Sequence, residues 1–162
     1  MSSDAIIIMG VSGSGKSTIG ALLAQALNLR FVDGDSLQPA ANQAKMASGT
    51  PLDDQDRAPW LEAVAQALAQ GPKVIACSAL KRRYRDRLRA AAPRTRFIFL
   101  AGSRDTLLYR LAHRQHEYMP AALLDSQLAD LEVPEESEGV LTLSIEHPPA
   151  ALVQAAVASL SR

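Results

Sequence analysis

Residues 10–17 read Gly10-Val11-Ser12-Gly13-Ser14-Gly15-Lys16-Ser17 and decide the fold, because they match G-x-x-x-x-G-K-[ST] and follow the apolar run 5–9. The glycines permit a backbone conformation in which consecutive N–H groups surround phosphate oxygens. A chance match is expected in roughly 1% of chains of this length, and a strand before the loop and a helix after it make chance rarer still. The stretch therefore predicts a phosphate-binding loop, the P-loop, and a protein that binds a nucleoside triphosphate.

The residues of the loop have distinct expected roles around ATP and Mg²⁺. Its backbone N–H groups and the positive end of the following helix bind the phosphates. Lys16 reaches the β- and γ-phosphates as a point charge, and the Ser17 hydroxyl ligates Mg²⁺. The expected nucleotide ligands are Gly10, Ser12, Gly13, Ser14, Gly15, Lys16, Ser17 and Thr18.

Short apolar runs alternate with helix-like segments along the chain, which predicts an α/β protein. Four of the five candidate strands are dominated by consecutive apolar residues rather than by alternation, as expected for strands buried on both faces of a parallel sheet. The candidate strands are residues 5–9, 30–33, 73–77, 96–100 and 139–145, and the candidate helices are residues 18–27, 59–68, 84–92, 106–112, 123–131 and 149–160.

The composition indicates one domain over residues 1–162. Apolar residues make up 48% and charged residues 21%, which excludes a disordered chain. Seventeen basic residues balance seventeen acidic ones, so the chain lacks the excess positive charge typical of nucleic-acid-binding domains. No apolar run reaches the 18 or so residues of a membrane helix, and the N-terminus lacks the basic segment of a signal peptide. We expect a cytoplasmic protein that binds neither nucleic acid nor membrane.

Two carboxylates follow the second candidate strand, in Asp33-Gly34-Asp35. The carboxyl end of a parallel strand faces the ligand crevice of an α/β fold. One carboxylate, Asp33, can help Ser17 to hold Mg²⁺, and the other, Asp35, can take a proton from an acceptor hydroxyl. The alternative is structural: the triplet forms a turn, or it forms a helix N-cap in which Asp35 caps the following helix. The D-x-x-G and N-K-x-D motifs of GTPases do not occur in the chain.

Longer strings around these motifs resemble the small P-loop gluconokinases, which phosphorylate D-gluconate at its 6-hydroxyl with ATP. The strings are GVSGSGKST at 10–18, DGD at 33–35, N-x-x-KMASG-x-PL-x-D-x-DR-x-PWL at 42–61, CSALK-x-x-YRD-x-LR at 77–89 and LL-x-SQ-x-x-x-LE at 123–132. The resemblance implies a P-loop NTPase fold with a five-stranded parallel sheet flanked by helices, an acceptor-binding helical segment at about residues 36–60 and a lid at about residues 113–122. It also implies a homodimer.

The same resemblance implies which residues surround the acceptor. Asp35, Lys45 and Arg57 would lie near the sugar acid, with Lys45 a candidate partner for its carboxylate. Lys81 and Arg85 are the charges of the 77–89 string that would face the substrate. For Lys45, a solvated position on a helix is the alternative.

The catalytic set implied by the resemblance combines Lys16 and Asp35 with two arginines of the lid region. Arg110 and Arg114 lie one helical turn apart on the same helix face, where they would close over the ATP phosphates and offset the charge of the transition state. The alternative is a pair of surface arginines.

Several conspicuous residues are expected to be structural. Trp60 and Cys77 read as core residues, with Cys77 acting as a small buried hydrophobe. Asp53, Asp54 and Asp56 are expected to cap the helix predicted at 59–68.

Two positions depart from the family pattern. Gln38 stands where the family usually has a histidine before proline, and Glu117 stands where the lid usually has one. Both departures lie in segments expected to face the substrate, so they leave the identity of the sugar acid open. The alternatives are a kinase for another small sugar acid or polyol acid, such as shikimate, and a nucleotide-binding module without catalytic activity.

Overall fold

The computed structural model describes residues 4–113 and 121–161. Its strands are β1 (Ile6–Met9), β2 (Phe31–Asp33), β3 (Val74–Ala76), β4 (Arg96–Ala101) and β5 (Leu141–Ser144). They form one parallel sheet in the order β2-β3-β1-β4-β5. Each strand coincides with a predicted one, so the predicted α/β fold class and five-stranded parallel sheet are confirmed.

The helices connect and cover these strands. They are α1 (Lys16–Leu27), α2 (Ala40–Ala47), α3 (Asp54–Ala69), α4 (Arg82–Ala91), α5 (Arg104–Ala112), α6 (Ala121–Asp130) and α7 (Pro149–Leu160), with short 3-10 turns at Gly34–Leu37 and Glu136–Glu138. In the part of the chain that the structure describes, no helix is long and apolar enough to cross a membrane.

The central strand β1 supplies side chains to two cores, one on each face of the sheet. Ile6 and Ile8 pack with α1 and α7 on one face. Ile7 and Met9 pack with α3 and α4 on the other. Because successive side chains of a strand point to opposite faces, burial of both faces requires a run that is apolar throughout.

The topology leaves a crevice at the carboxyl ends of β1 and β3. The chain leaves β1 for α1 on one face of the sheet and leaves β3 for α4 on the opposite face. Neighbouring parallel strands whose connections leave toward opposite faces form the usual ligand crevice of α/β proteins. The P-loop lies in this crevice, where the Gly10 N–H donates to the Ser78 carbonyl oxygen at 3.3 Å.

The acceptor-binding segment predicted at 36–60 differs from the prediction in its helices. Helix α3 begins at Asp54 because Asp53 and Asp56 form a capping box, in which each carboxylate accepts the other's backbone N–H at 2.8 and 3.1 Å. Pro59 therefore lies inside the helix and does not open it. Helix α2 was not predicted, because its only buried residue is Asn42 and it has no apolar periodicity.

Candidate active site

The P-loop and the first turn of α1 form a concave backbone surface that suits phosphate. Gly15 is the N-cap residue of α1 and has φ +94°, a conformation in which a side chain would be strained. The first turn of a helix leaves N–H groups without partners inside the helix, and its positive end attracts anions. The Lys16 ammonium donates to the Val11 carbonyl oxygen across the loop at 3.1 Å. The positive charge of Lys16 and the backbone N–H donors of the first turn of α1 thus lie close together at the P-loop.

Ser17 and Asp33 bring together two side-chain oxygens that can coordinate a metal ion beside the loop. Ser17 Oγ donates to Asp33 Oδ2 at 3.3 Å. Hydroxyl and carboxylate oxygens are ligands that Mg²⁺ prefers, and at nucleotide sites it takes its other ligands from phosphate and water. Within residues 4–113 and 121–161, no group of three or more His, Cys, Asp or Glu residues could hold a metal by itself. The pair therefore fits a Mg²⁺ ion that is shared with a bound nucleotide.

The turn after β2 separates the two carboxylates of the Asp-Gly-Asp triplet. Asp33 caps the 3-10 turn, with its Oδ1 accepting the Asp35 N–H at 3.0 Å. The triplet therefore does form a turn, but its cap is Asp33, so the alternative that Asp35 is the cap is wrong. Asp35 lines a cavity together with Lys16. Gly34 permits this turn, because a Cβ atom there would overlap the Ala76 carbonyl oxygen of the neighbouring strand.

Trp60 supports the same turn from α3. The indole is 2% exposed, and its Nε1 donates to the Gly34 carbonyl oxygen at 2.9 Å. The prediction that Trp60 belongs to the core is confirmed. Trp60 also lines the cavity that Asp35 lines.

A cavity of about 430 Å³ lies beside Lys16 and Asp35. Its volume is within the range of about 300–1,000 Å³ that is typical of small-molecule sites. Polar side chains of the P-loop, the 3-10 turn, α2, α3 and α6 face apolar ones across it. The apolar part of the wall comprises Met46, Ala47, Pro51, Leu52, Trp60, Leu80 and Leu123. Such a wall suits a small molecule that carries both polar groups and a hydrocarbon chain.

Arg57 is the cation that the acceptor-binding segment contributes to this cavity. The residue is 7% exposed. Its Nη2 pairs with Asp130 at 2.9 Å, and its Nη1 donates to the Tyr84 hydroxyl at 3.1 Å. These two partners hold the guanidinium in place, and each terminal nitrogen has a second N–H to offer. The predicted position of Arg57 near the acceptor agrees with this geometry.

Two other predicted acceptor residues do not line the cavity. Lys45 pairs with Asp56 at 2.7 Å, and this hydrogen bond raises the pKa of the Lys45 ammonium. Lys81 pairs with Asp54 at 3.0 Å. Each lysine is thus engaged by a carboxylate near the start of α3, and the structure does not bring either one to the site.

Arg85 is also displaced from its predicted role. Its side chain is fully buried, and all five N–H groups donate within the protein: two to Glu138, two to the carbonyl oxygens of Ala79 and Leu80, and one to the Glu132 carbonyl oxygen. No donor remains for a substrate, so Arg85 is a structural residue. It fixes Ala79, which has φ +46°, and Leu80, which lines the cavity.

Arg110 lies where the nucleotide phosphates are expected. Its Nη1 would be 3.6 Å from a Cβ atom at Gly15, which places the guanidinium against the P-loop. Its Nη2 donates to the Ile145 carbonyl oxygen at 2.7 Å. Arg114, Glu117 and most of the predicted lid at 113–122 lie outside the described residues.

Gln127 contacts the P-loop directly, and sequence reasoning assigned it no role. Its Oε1 accepts the Ser12 N–H at 2.8 Å, across 115 positions of sequence. Both residues line the cavity. Gln127 belongs to the quoted S-Q string at 123–132, which was the only signal available for it.

Cys77 lies close to the site without belonging to it. The residue is 1% exposed, and burial raises the pKa of its thiol to about 12. A thiol with this pKa forms almost no thiolate at neutral pH. The prediction that Cys77 is a small buried core residue is confirmed.

Comparison with known proteins identifies the family. The sequence model of the shikimate kinase family matches residues 12–144. A thermosensitive gluconokinase of Escherichia coli is 44% identical over 153 residues, which cover 91% of this chain and 82% of that protein. A gluconokinase of Gluconobacter oxydans is 45% identical over 149 residues, covering 89% and 84%. The chain belongs to the shikimate kinase family and, within it, to the gluconokinases.

A solved gluconokinase has the same fold over nearly the whole chain. The crystal structure of a gluconokinase from Sinorhizobium meliloti superimposes with a TM-score of 0.93 at 45% identity, covering 99% of this chain and 93% of that one. The resemblance seen in the sequence strings is therefore confirmed, and so is the prediction of a P-loop kinase.

Proposed function

We propose that this gluconokinase-family protein transfers the γ-phosphoryl group of ATP to the 6-hydroxyl of D-gluconate and yields 6-phosphogluconate and ADP. The observation that carries the proposal is the cavity beside the P-loop, in which Lys16, Asp35 and Arg57 line one space. A phosphate-binding cation, a carboxylate and a second cation are the groups that phosphoryl transfer to a sugar acid requires. The 44–45% identity to gluconokinases supports gluconate as the acid.

The residues divide the reaction between them. The P-loop backbone and Lys16 hold the phosphates, and Arg110, beside Gly15, offsets the charge that spreads over the phosphoryl oxygens in the transition state. Asp35 accepts the proton of the acceptor's hydroxyl group. The hydroxyl oxygen forms a bond to the γ-phosphorus while the bond between the γ-phosphorus and the bridging oxygen of ADP breaks. Arg57 binds the carboxylate at the other end of the sugar acid.

Ser17 and Asp33 would hold Mg²⁺, which neutralises phosphate charge when it is bound. Asp33 is unsuited to be the base, because its two oxygens already engage Ser17 and the Asp35 N–H. The roles of Arg114 and of a lid over residues 113–122 stay predictions, as do the homodimer and the cytoplasmic location.

A coupled assay of ADP release tests the proposal. Mg·ATP is supplied with D-gluconate, L-idonate, shikimate, glycerate or glucose, and we expect turnover to depend on gluconate. If turnover depended on another acid, that acid would replace gluconate as the proposed substrate, and the proposed phosphoryl-transfer mechanism would stand. ATP binding without turnover on any of them would refute catalysis.

The variant Asp35→Asn tests the assignment of the base. We expect kcat to fall by about 10²–10⁴, the usual contribution of a general base, while ATP affinity changes less than about threefold. Asp86→Asn is the matched control, because the Asp86 side chain is 59% exposed on α4 and should leave kcat unchanged. Loss of ATP affinity with kcat retained would move Asp35 from the acceptor to the metal.

A further inference from the structure

Gln38 lines the cavity, and both its backbone N–H and its backbone carbonyl oxygen are hydrogen-bonded. The residue follows the 3-10 turn that carries Asp35, and it is 7% exposed. Its N–H donates to the Asp35 carbonyl oxygen at 3.2 Å, and its carbonyl oxygen accepts from Gln43 Nε2 at 2.9 Å. The Gln38 side chain therefore starts from a fixed point close to the proposed base.

The neighbouring Asn42 determines which end of the Gln38 carboxamide faces the cavity. Asn42 Nδ2 donates to Gln38 Oε1 at 2.8 Å and to the Asp56 carbonyl oxygen at 2.7 Å. Asn42 is 4% exposed, and both of its amide hydrogens are used. If its amide were turned over, its own oxygen would face two acceptor oxygens, which is unfavourable. The Asn42 orientation is thus fixed, and it holds the Gln38 oxygen away from the cavity.

With its oxygen bound to Asn42, Gln38 presents its Nε2 to the cavity that it lines. Among the residues that the structure describes, no hydrogen bond from this nitrogen is seen, and it is not one of the fully buried polar atoms left without a partner. The nitrogen is therefore open to the cavity, where a ligand oxygen or water can accept a hydrogen bond from it. The hydroxyl and carboxylate oxygens of a polyhydroxy acid are such acceptors.

We propose that Gln38 is a specificity-determining residue for the acceptor, that its Nε2 donates to an oxygen of the sugar acid, and that Asn42 is the positioning residue that orients it. The proposal rests on the proposed function, because it takes the cavity to be the acceptor site. Gln38 is neutral at every working pH, so it selects the acceptor by hydrogen-bond direction and not by charge.

The variant Gln38→Glu tests the donor. It keeps the side-chain shape and still accepts from Asn42, but it replaces the N–H groups facing the cavity with a carboxylate oxygen. We expect the KM for D-gluconate to rise at least tenfold, with the KM for ATP within about twofold of the wild-type value. Gln55→Glu, the same change on an exposed residue of the first turn of α3, controls for added negative charge and should change neither KM beyond twofold.

The double-variant cycle of Gln38→Glu and Asn42→Ala tests the positioning role. Asn42→Ala alone should raise the KM for gluconate about threefold or more with little change in kcat, and the combined effect should be smaller than the product of the two. Thermal melts of each variant verify folding. Independent effects would remove Asn42 from the proposal, and a gluconate KM in Gln38→Glu within twofold of wild type would overturn it altogether.

Calorimetric titration of gluconate into the wild type and Gln38→Glu separates this inference from the proposed function. Binding that weakens tenfold in the variant supports the role of Gln38 even if the wild type lacks turnover, an outcome that refutes only the reaction. Turnover by the wild type with equal gluconate binding by both proteins refutes only the role of Gln38. Absence of gluconate binding to the wild type refutes both.

Discussion

Replacing Glu138 by Gln should destabilise the fold by about 3 kcal/mol at pH 7 and by clearly less at pH 3.5. The Glu138 side chain is 1% exposed. Hydrogen bonds from Arg85 at 2.8 and 2.9 Å lower its pKa from 4.5 to about 2 despite burial, and a further bond from Arg89 at 2.8 Å adds to this effect.

The size of the effect follows from the difference between the folded and unfolded pKa of Glu138. Each pKa unit corresponds to about 1.4 kcal/mol, so a fall from 4.5 to about 2 stabilises the fold by about 3 kcal/mol. Because the folded pKa is the lower one, this stabilisation is complete above the unfolded pKa and is lost as the pH falls toward 2. At pH 3.5 about 2 kcal/mol should remain.

Urea unfolding of wild type and Glu138→Gln at pH 7 and pH 3.5 measures both quantities. In a parallel thermal scan at pH 7, the melting temperature should fall by about 6–12 °C, at about 2–4 °C per kcal/mol for a domain of this size. Glu62→Gln is the control: Glu62 pairs with Arg87 at 2.6 Å, but both side chains are about half exposed, and exposed ion pairs contribute little to stability because solvent screens them. An equal cost for the two variants, or a cost of Glu138→Gln that does not fall with pH, would refute the reasoning.

Two further predictions concern residues beside the site. Trp60→Phe removes the hydrogen bond to the buried Gly34 carbonyl oxygen and should cost about 1–3 kcal/mol of stability, as urea unfolding would measure; an unchanged unfolding midpoint would contradict that support. Cys77, with its thiol pKa near 12 and its burial, should not react with a thiol reagent at pH 8 until denaturant is added, and rapid labelling of the native protein would contradict its placement.

The inner strands β1, β3 and β4 could be predicted from sequence because they are buried on both faces. The run 5–9 is apolar at every position because alternate residues of the strand pack into two different cores, one on each face of the sheet. Helix α2 gave no such signal, because one buried residue in eight cannot produce a periodic pattern. The start of α3 was missed for a related reason: Pro59 suggested a helix start, while the capping box of Asp53 and Asp56 lies earlier.

The site was predicted where backbone chemistry determines it and not where long side chains do. The P-loop motif specifies its own geometry, and the Asp-Gly-Asp triplet follows a strand whose end faces the crevice. Lys81 and Arg85 were expected to face the substrate because they are charges within a string that resembles the gluconokinases. Their partners, Asp54 and Glu138, lie 27 and 53 positions away in sequence, so no local pattern could reveal that these cations are already engaged.

This pairing of charges determines how the cavity can select its substrate. Arg57 lines it, but Asp130 already offsets much of the Arg57 charge at 2.9 Å. An anionic acceptor therefore gains less from charge attraction here than the number of nearby cations suggests. We therefore expect discrimination between sugar acids to depend on the direction of hydrogen bonds. Gln38 and Gln127 both line the cavity, and their amide oxygens are bound to Asn42 and Ser12. A wall of oriented neutral donors distinguishes acids that share a carboxylate but differ in the arrangement of their hydroxyl groups.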